Sequence, residues 1–150
     1  MKQPHSSGQL KDKMASFIAD CRKVGLKVTH QRTEIFHQLL INPDHPTVET
    51  LHKRLLSSLP TISLDTVYRT LTTLEQHGFV SRIQTNESQA RFEVIHDQHH
   101  HLICGKCRKV MDFDWPDADL LQPPEKLGQW GRIESKTIVI YGTCKLCLKN

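Results

Sequence analysis

Two Cys-x-x-Cys pairs, Cys104/Cys107 and Cys144/Cys147, lie 36 residues apart near the end of a 150-residue chain. Four thiolates complete the tetrahedral shell of one Zn2+ and leave no open position, so the pattern reads as structural zinc rather than a catalytic metal. Disulfides are the alternative for these cysteines. The start of the chain, Met-Lys-Gln-Pro-His-Ser-Ser-Gly, lacks the apolar core of a signal peptide. The expectation is therefore a reducing, cytoplasmic location with the thiols free for metal. No apolar run approaches the ~20 residues needed to span a bilayer, so no membrane partner is expected. The histidines beside the first knuckle (His96, His99, His100 and His101) are not needed by a four-cysteine site and call for a separate explanation.

Residues 1–9 read as an arm. From Leu10 onward the apolar positions Met14, Phe17, Ile18, Cys21 and Val24 recur at helical spacing, with Gly25 as the stop. Cys21 lies on that stripe, far in sequence from the other cysteines, and reads as a small core residue. Thr29 is placed to cap a second helix with Ile35, Phe36, Leu39 and Leu40 inward. Thr47 is placed to cap a third with Val48, Leu51, Leu55 and Leu56 inward. Ser63 is placed to cap a fourth, with Val67, Leu71 and Leu74 inward and Gly78 ending it. Residues 79–83 and 90–95 read as two strands around a polar turn at 84–89.

The fourth helix leaves Thr66, Arg69, Thr70 and Thr73 facing outward. Exposed helices normally interleave Glu and Lys, whereas hydroxyls with one Arg suit phosphate oxygens and base edges. The basic charge is concentrated nearby. Residues 1–32 hold seven Lys/Arg against two Asp, while residues 97–150 hold eight basic and seven acidic side chains. Such a segment favours a polyanion. Three helices, a probe helix and a hairpin form a winged helix-turn-helix. The alternative is a plain helical bundle with a surface hairpin.

The second half changes character. Residues 109–113 read as a strand, 117–127 as a short helix interrupted by Pro123-Pro124, and 132–141 as a further strand. The fold class is α+β: an N-terminal winged-helix domain over 1–95, then a small α/β dimerisation domain over 96–150 carrying the four-cysteine zinc site. So small a sheet leaves strand edges that favour pairing with a second copy.

Several motifs occur in order: Gly25-Leu-Lys-Val-Thr-His-Gln-Arg32, His45-Pro-Thr47, Ser63-Leu-Asp-Thr-Val-Tyr-Arg-Thr-Leu71, Arg91-Phe-Glu93 and His99-x-His-Leu-Ile-Cys-Gly-Lys-Cys107. Together they resemble the ferric uptake regulator family, over about residues 10–147. The resemblance implies a dimeric, metal-responsive repressor of bacteria that binds double-stranded DNA at an inverted repeat. It implies a regulatory metal, Fe2+ or Mn2+, on His45, Glu93, His99, His101 and Asp112, and structural zinc on Cys104, Cys107, Cys144 and Cys147. The DNA-reading surface is expected at Ser63, Thr66, Tyr68 and Arg69, with Lys27 and Arg32 from the basic segment. Independently of the family, an extended stretch puts His99 and His101 on one face and His100 on the other. Imidazoles with carboxylates suit Fe2+, Mn2+ or Zn2+.

The chain departs from the family pattern at places. His30 stands where the family usually has proline. A further metal site found in some members would fall on Gln98, His100, Asp119 and Lys136, and neither Gln98 nor a protonated Lys136 is a good ligand, so that site is expected to be absent. One nitrogen/oxygen regulatory site beside a four-cysteine zinc resembles the peroxide-sensing branch, whereas Glu93, in place of an aspartate, and Tyr68-Arg69 are closer to the iron-uptake branch. The reading is a metal-dependent, peroxide-responsive repressor, with an iron-uptake or manganese regulator as the alternative. From another class, a mononuclear metal enzyme would use the same histidines. It is disfavoured because no Ser or Cys nucleophile with a partnered base and no Gly-rich phosphate loop is present. A zinc-ribbon interaction module would leave the N-terminal helices unexplained.

Overall fold

A computed structural model describes residues 6–85 and 88–149. The described residues divide into two compact units, one ending at His96 and one beginning at Asp97. The polar turn expected at 84–89 falls partly on Asn86 and Glu87, and the arm expected at 1–9 partly on residues 1–5, all outside the described residues.

The first unit is built from four capped helices and a hairpin. Helix α1 spans Ser7–Lys23 and is opened by a capping box in which Ser6 and Gln9 satisfy each other's backbone N–H. It therefore begins inside the expected arm, where polar residues and Gly8 give no apolar period to reveal it. Gly25 follows with φ +72°, the left-handed conformation that ends a helix at little cost to glycine. Helix α2 (His30–Ile41) is capped by Thr29, α3 (Val48–Leu55) by Thr47, and α4 (Leu64–Gln76) by Ser63. In each case the side-chain oxygen accepts an N–H three residues on. His30 is thus the first residue of α2, where a proline fits well because that N–H lacks an intrahelical acceptor. Histidine loses only proline's fixed φ there.

Strands β1 (Val80–Ile83) and β2 (Arg91–Val94) pair antiparallel with Ser81 opposite Glu93. The β2 edge continues onto the segment before α3: Thr47 bridges Arg91, and the Phe92 N–H donates to the Pro46 carbonyl at 3.0 Å. The core comprises Phe17, Cys21, Ile35, Phe36, Leu39, Leu51, Leu55, Val67, Leu71, Leu74, Val80 and Phe92, all buried. Phe17 stacks on Phe36 with ring centroids 3.8 Å apart and meets Phe79 edge-on at 5.2 Å. Burial raises the Cys21 thiol pKa, consistent with a packing role. Two orientations differ from expectation. Leu56 is 40% exposed, because α3 ends at Leu55 and the chain turns away. Thr70 is buried, because it lies one turn from Val67 and Leu74 on the inward side of α4.

The second unit is a three-stranded sheet in the order β4–β3–β5, where β3 is His100–Cys104, β4 Val110–Phe113 and β5 Val139–Gly142. The β3–β4 pair is antiparallel and the β3–β5 pair parallel. Between β4 and β5 lie α5 (Pro116–Leu120) and a 3-10 turn (Glu125–Gln129), with Pro123-Pro124 between them. The final helix α6 is Lys145–Leu148. The strand expected over 132–141 forms only at Val139–Gly142, the stretch that pairs with β3, and among the described residues the chain upstream of Ile138 has no strand partner. Val139, Ile140 and Tyr141 of β5 are exposed on the outer edge of this sheet.

Leu74 is fully buried at the centre of the first unit. Leu74→Ala should destabilise that unit by about 2–5 kcal/mol. Urea unfolding followed by helical circular dichroism measures this, and a loss below about 1 kcal/mol would show that α4 does not pack as described.

Candidate metal centres and nucleic-acid interface

The four knuckle sulfurs come together in the second unit. Cys104 ends β3, Cys107 closes the following turn, and Cys144 and Cys147 sit at the start of α6, just beyond β5. Parallel pairing of Cys104 with Gly142 brings the two knuckles side by side. All four sulfurs lie within 4.8 Å of one another, and Cys107 and Cys144 are 3.7 Å apart. A tetrahedral ion with Zn–S bonds of about 2.3 Å separates its sulfurs by about 3.8 Å, so the cluster fits Zn2+ in shape.

The cluster also fits in charge. Backbone N–H groups of Cys107 and Cys144 hold the Cys104 thiol down to about 6, and that of Cys147 lowers Cys144. Cys147 is pushed up to about 12 by its neighbouring sulfurs. The first thiolates form easily and the last only against the charge of the others, which is the situation a dication relieves. Arg108 follows the first knuckle with φ +63°, and its N–H donates to the Cys104 carbonyl.

A second set of donors in the same unit contains no sulfur. On the β3–β4 ladder His101 faces Asp112 directly, and His99 precedes it by two residues on the same face. His99 Nε2 and His101 Nε2 are 3.1 Å apart, and they lie 3.7 and 3.6 Å from Asp112 Oδ1. His99 Nδ1 is 2.9 Å from the Asp97 carbonyl, which can only accept, so Nδ1 carries the proton and Nε2 presents its lone pair. Ligands about 2.1 Å from one ion stand about 3 Å apart when adjacent on an octahedron, so the His99–His101 separation suits a shared ion.

The first unit carries its own donors. His45 lies in the loop before α3 with φ +54°, an uncommon conformation for a residue with a side chain. Three contacts brace it: Arg54 forks onto Asp44, Arg91 Nη1 donates to the His45 carbonyl at 3.1 Å, and Phe92 N–H donates to Pro46. His45 Nε2 is 3.2 Å from Glu93 Oε2. The other Glu93 oxygen, Oε1, accepts from Ser81 Oγ at 3.0 Å. Ser81 and the Asp44–Arg54 pair were not among the sequence expectations. Ser81 was legible in principle, since pairing residues 79–83 with 90–95 sets it opposite Glu93.

Gln98, His100, Asp119 and Lys136 form a different arrangement. Gln98 Nε2 donates to Asp119 Oδ1 at 2.8 Å, and His100 Nε2 lies 3.1 Å from the same oxygen. His100 Nδ1 accepts the Ile138 N–H, and Lys136 Nζ donates to the Leu121 carbonyl. These positions act as a polar latch between β3, α5 and the segment entering β5.

The expected DNA-reading residues are spread over α4 and the α1–α2 turn. Tyr68 and Arg69 are exposed on α4. Arg69 Nε is 2.9 Å from Asp65 Oδ2 one turn earlier. The Ser63 and Thr66 hydroxyls are 2.8 Å apart at the N-cap. Lys27 is exposed, whereas Arg32 donates through Nη1 to the Lys27 carbonyl and so braces the turn.

Comparison with known proteins bears on the fold and the family. Residues 23–140 match the Ferric uptake regulator family. The chain is 32% identical over 130 residues to the peroxide-responsive repressor PerR of Staphylococcus epidermidis, covering 87% of each chain. It resembles the solved ferric uptake regulator of Francisella tularensis with iron at 28% identity and TM-score 0.70, over 83% of this chain and 96% of that one. The Helicobacter pylori ferric uptake regulator, at 24% identity, shares the fold with TM-score 0.76 over 100% of this chain and 99% of that one.

Cys144→Ser should lose stoichiometric zinc and leave the second unit unfolded or the protein monomeric. In the unaltered protein, zinc should be released as the pH falls below about 6, the value to which the Cys104 thiol is held, because protons then compete for the thiolates. Zinc analysis with thermal melting tests both, and a zinc-free mutant that melts like the parent would overturn the structural role. On fold, motif order and matched length, the chain belongs to the ferric uptake regulator family.

Proposed function

We propose that the chain is a homodimeric, metal-dependent DNA-binding repressor that responds to peroxide, and that it acts in the cytoplasm. Cys104, Cys107, Cys144 and Cys147 hold structural zinc. His45, Glu93, His99, His101 and Asp112 hold Fe2+ or Mn2+. The supporting observation is the segregation of donors: all the knuckle thiolates are in one cluster, and the histidine and carboxylate donors outside it include no sulfur. Hard and intermediate donors of this kind suit Fe2+ and Mn2+. The peroxide response is supported by the likeness to the peroxide-responsive repressor of Staphylococcus epidermidis.

The regulatory donors come from both units, so holding one ion restricts the freedom of the linker near His96. Two copies then present their α4 helices at a defined separation, which a two-fold dimer matches with an inverted-repeat operator. If the ion-bound form is the DNA-competent one, DNA must tighten ion binding by the same factor. Ser63, Thr66, Tyr68 and Arg69 read the groove, with Lys27 and Arg32 at the backbone. Fe2+ held there would activate peroxide, one peroxide oxygen passing to the imidazole of His45 or His99 and the other leaving as water with the iron returned to Fe2+, and the oxidised ring would be a poorer donor. Glu93, in place of the aspartate of the peroxide-sensing pattern, favours a second reading, an iron-uptake or manganese regulator.

His45→Ala should keep its zinc and its dimer yet lose Mn2+-dependent operator binding in a gel-shift titration. Arg69→Ala should weaken operator binding by roughly 1–3 kcal/mol and relax base preference with metal uptake unchanged. Iron-loaded protein given dilute peroxide should gain a single oxygen on His45 or His99 by peptide mass spectrometry. Oxygen only on methionine or cysteine, with operator binding intact, would leave the iron or manganese regulator as the function.

A further inference from the structure

We propose that Asp65 is a positioning residue for Arg69: it holds the guanidinium by Nε, so that the Nη edge meets a guanine in the major groove. This rests on the reading of α4 as the DNA-reading helix given above. Arg69 Nε is 2.9 Å from Asp65 Oδ2, one turn earlier on the same helix, and the two side chains are 79% and 69% exposed. Among the described residues the guanidinium has no second partner.

Two features distinguish this from an ordinary solvated pair on a helix. First, α4 does not need Asp65 as its cap. Ser63 Oγ accepts the Thr66 N–H at 3.1 Å, and the two hydroxyls are 2.8 Å apart, which leaves the carboxylate to the guanidinium. Second, the charges of α4 are few. They are Asp65, Arg69 and Glu75, and Arg82 of β1 holds Glu75 at 3.1 Å. What remains is one carboxylate–guanidinium pair beside the exposed Tyr68. A carboxylate on a face that meets phosphates is repelled by them, so its presence there calls for a compensating role. Arginine reads guanine O6 and N7 with two parallel donors of its planar fork. Engagement of Nε leaves both Nη groups for that contact and fixes the plane in which they lie.

The consequence is selectivity among sequences. An exposed ion pair holds weakly in water, but a groove that excludes water strengthens it at the moment of reading. The carboxylate also offsets the guanidinium charge, so Arg69 adds little to the phosphate attraction that is blind to sequence. Asp65 thereby widens the gap between the operator and other DNA instead of tightening both.

The test uses full-length protein loaded with zinc and Mn2+, compared among the parent, Asp65→Ala, Arg69→Ala and the double variant. Each selects duplexes from a random-sequence pool, and sequencing of the bound DNA gives the base preference at every position. The parent should prefer guanine at one symmetric pair of positions, and Arg69→Ala should lose that preference. Asp65→Ala should lower it by about threefold or more, with melting temperature and the preferences elsewhere kept, and the double variant should match Arg69→Ala. A merely structural role would weaken binding to all sequences alike; an unchanged guanine preference in Asp65→Ala therefore overturns the proposal. So does a cytosine preference that Asp65→Ala removes even in the Arg69→Ala background, since Asp65 would then read a base by itself. If Arg69→Ala leaves every preference intact, the assignment of Arg69 as a reader fails and the proposal falls with it. If the parent selects no sequence at all, the repressor reading itself has failed.

Discussion

Four thiolates gathered around one point repel one another, and the second unit is arranged so that they meet. Parallel pairing of β5 with β3 places the end of one strand beside the end of the other, and each end runs into a Cys-x-x-Cys turn. Backbone N–H groups make the Cys104 thiolate easy to form, while Cys147 resists ionisation with the others present. A dication reverses that balance and ties together chain segments about forty residues apart. The unit needs such a tie. Leu120, Leu121, Trp130, Leu146 and Leu148 are all exposed, so little apolar surface is available to hold three short strands.

The sheet held in this way also orients the histidine donors. His101 faces Asp112 because β3 and β4 pair in that register, and His99 joins them because side chains two apart share a face. His100 points the other way and is fully buried, near Phe113 and Asp119. One strand thus divides its histidines between the face that meets Asp112 and a packing face. A one-residue slip would exchange the two roles, so zinc at the end of β3 has a bearing on donors that it never touches.

Much of this was legible in the sequence where local chemistry decides the outcome. The caps Thr29, Thr47 and Ser63, the left-handed Gly25 and Gly78, the two knuckles and the alternation of His99 with His101 each depend on a few adjacent residues. Features set by distant partners were not legible. The segment 132–138 alternates like a strand but has no strand partner among the described residues. Thr70 looks polar and outward until α4 is packed. The Arg54–Asp44 fork bracing the His45 loop spans ten residues and two elements, and no local pattern announces it. The start of α1 was hidden for the opposite reason: its capping box is local, but the turn behind it carries no apolar period.

The separation of sulfur from nitrogen and oxygen donors bears on how such a chain could keep two metals apart. Zn2+ binds most nitrogen/oxygen sites more tightly than Fe2+ or Mn2+ does, so affinity alone would fill a histidine site with zinc. Two features of the donor chemistry oppose this. The thiolates offer zinc a softer, closed tetrahedral shell that satisfies it fully. The proposed regulatory set has five donors, one more than a tetrahedral ion uses, so zinc gains little from the fifth, whereas Fe2+ and Mn2+ accept more than four. Coordination number, set by how many donors the proposed regulatory set supplies, then does the selecting that raw affinity cannot.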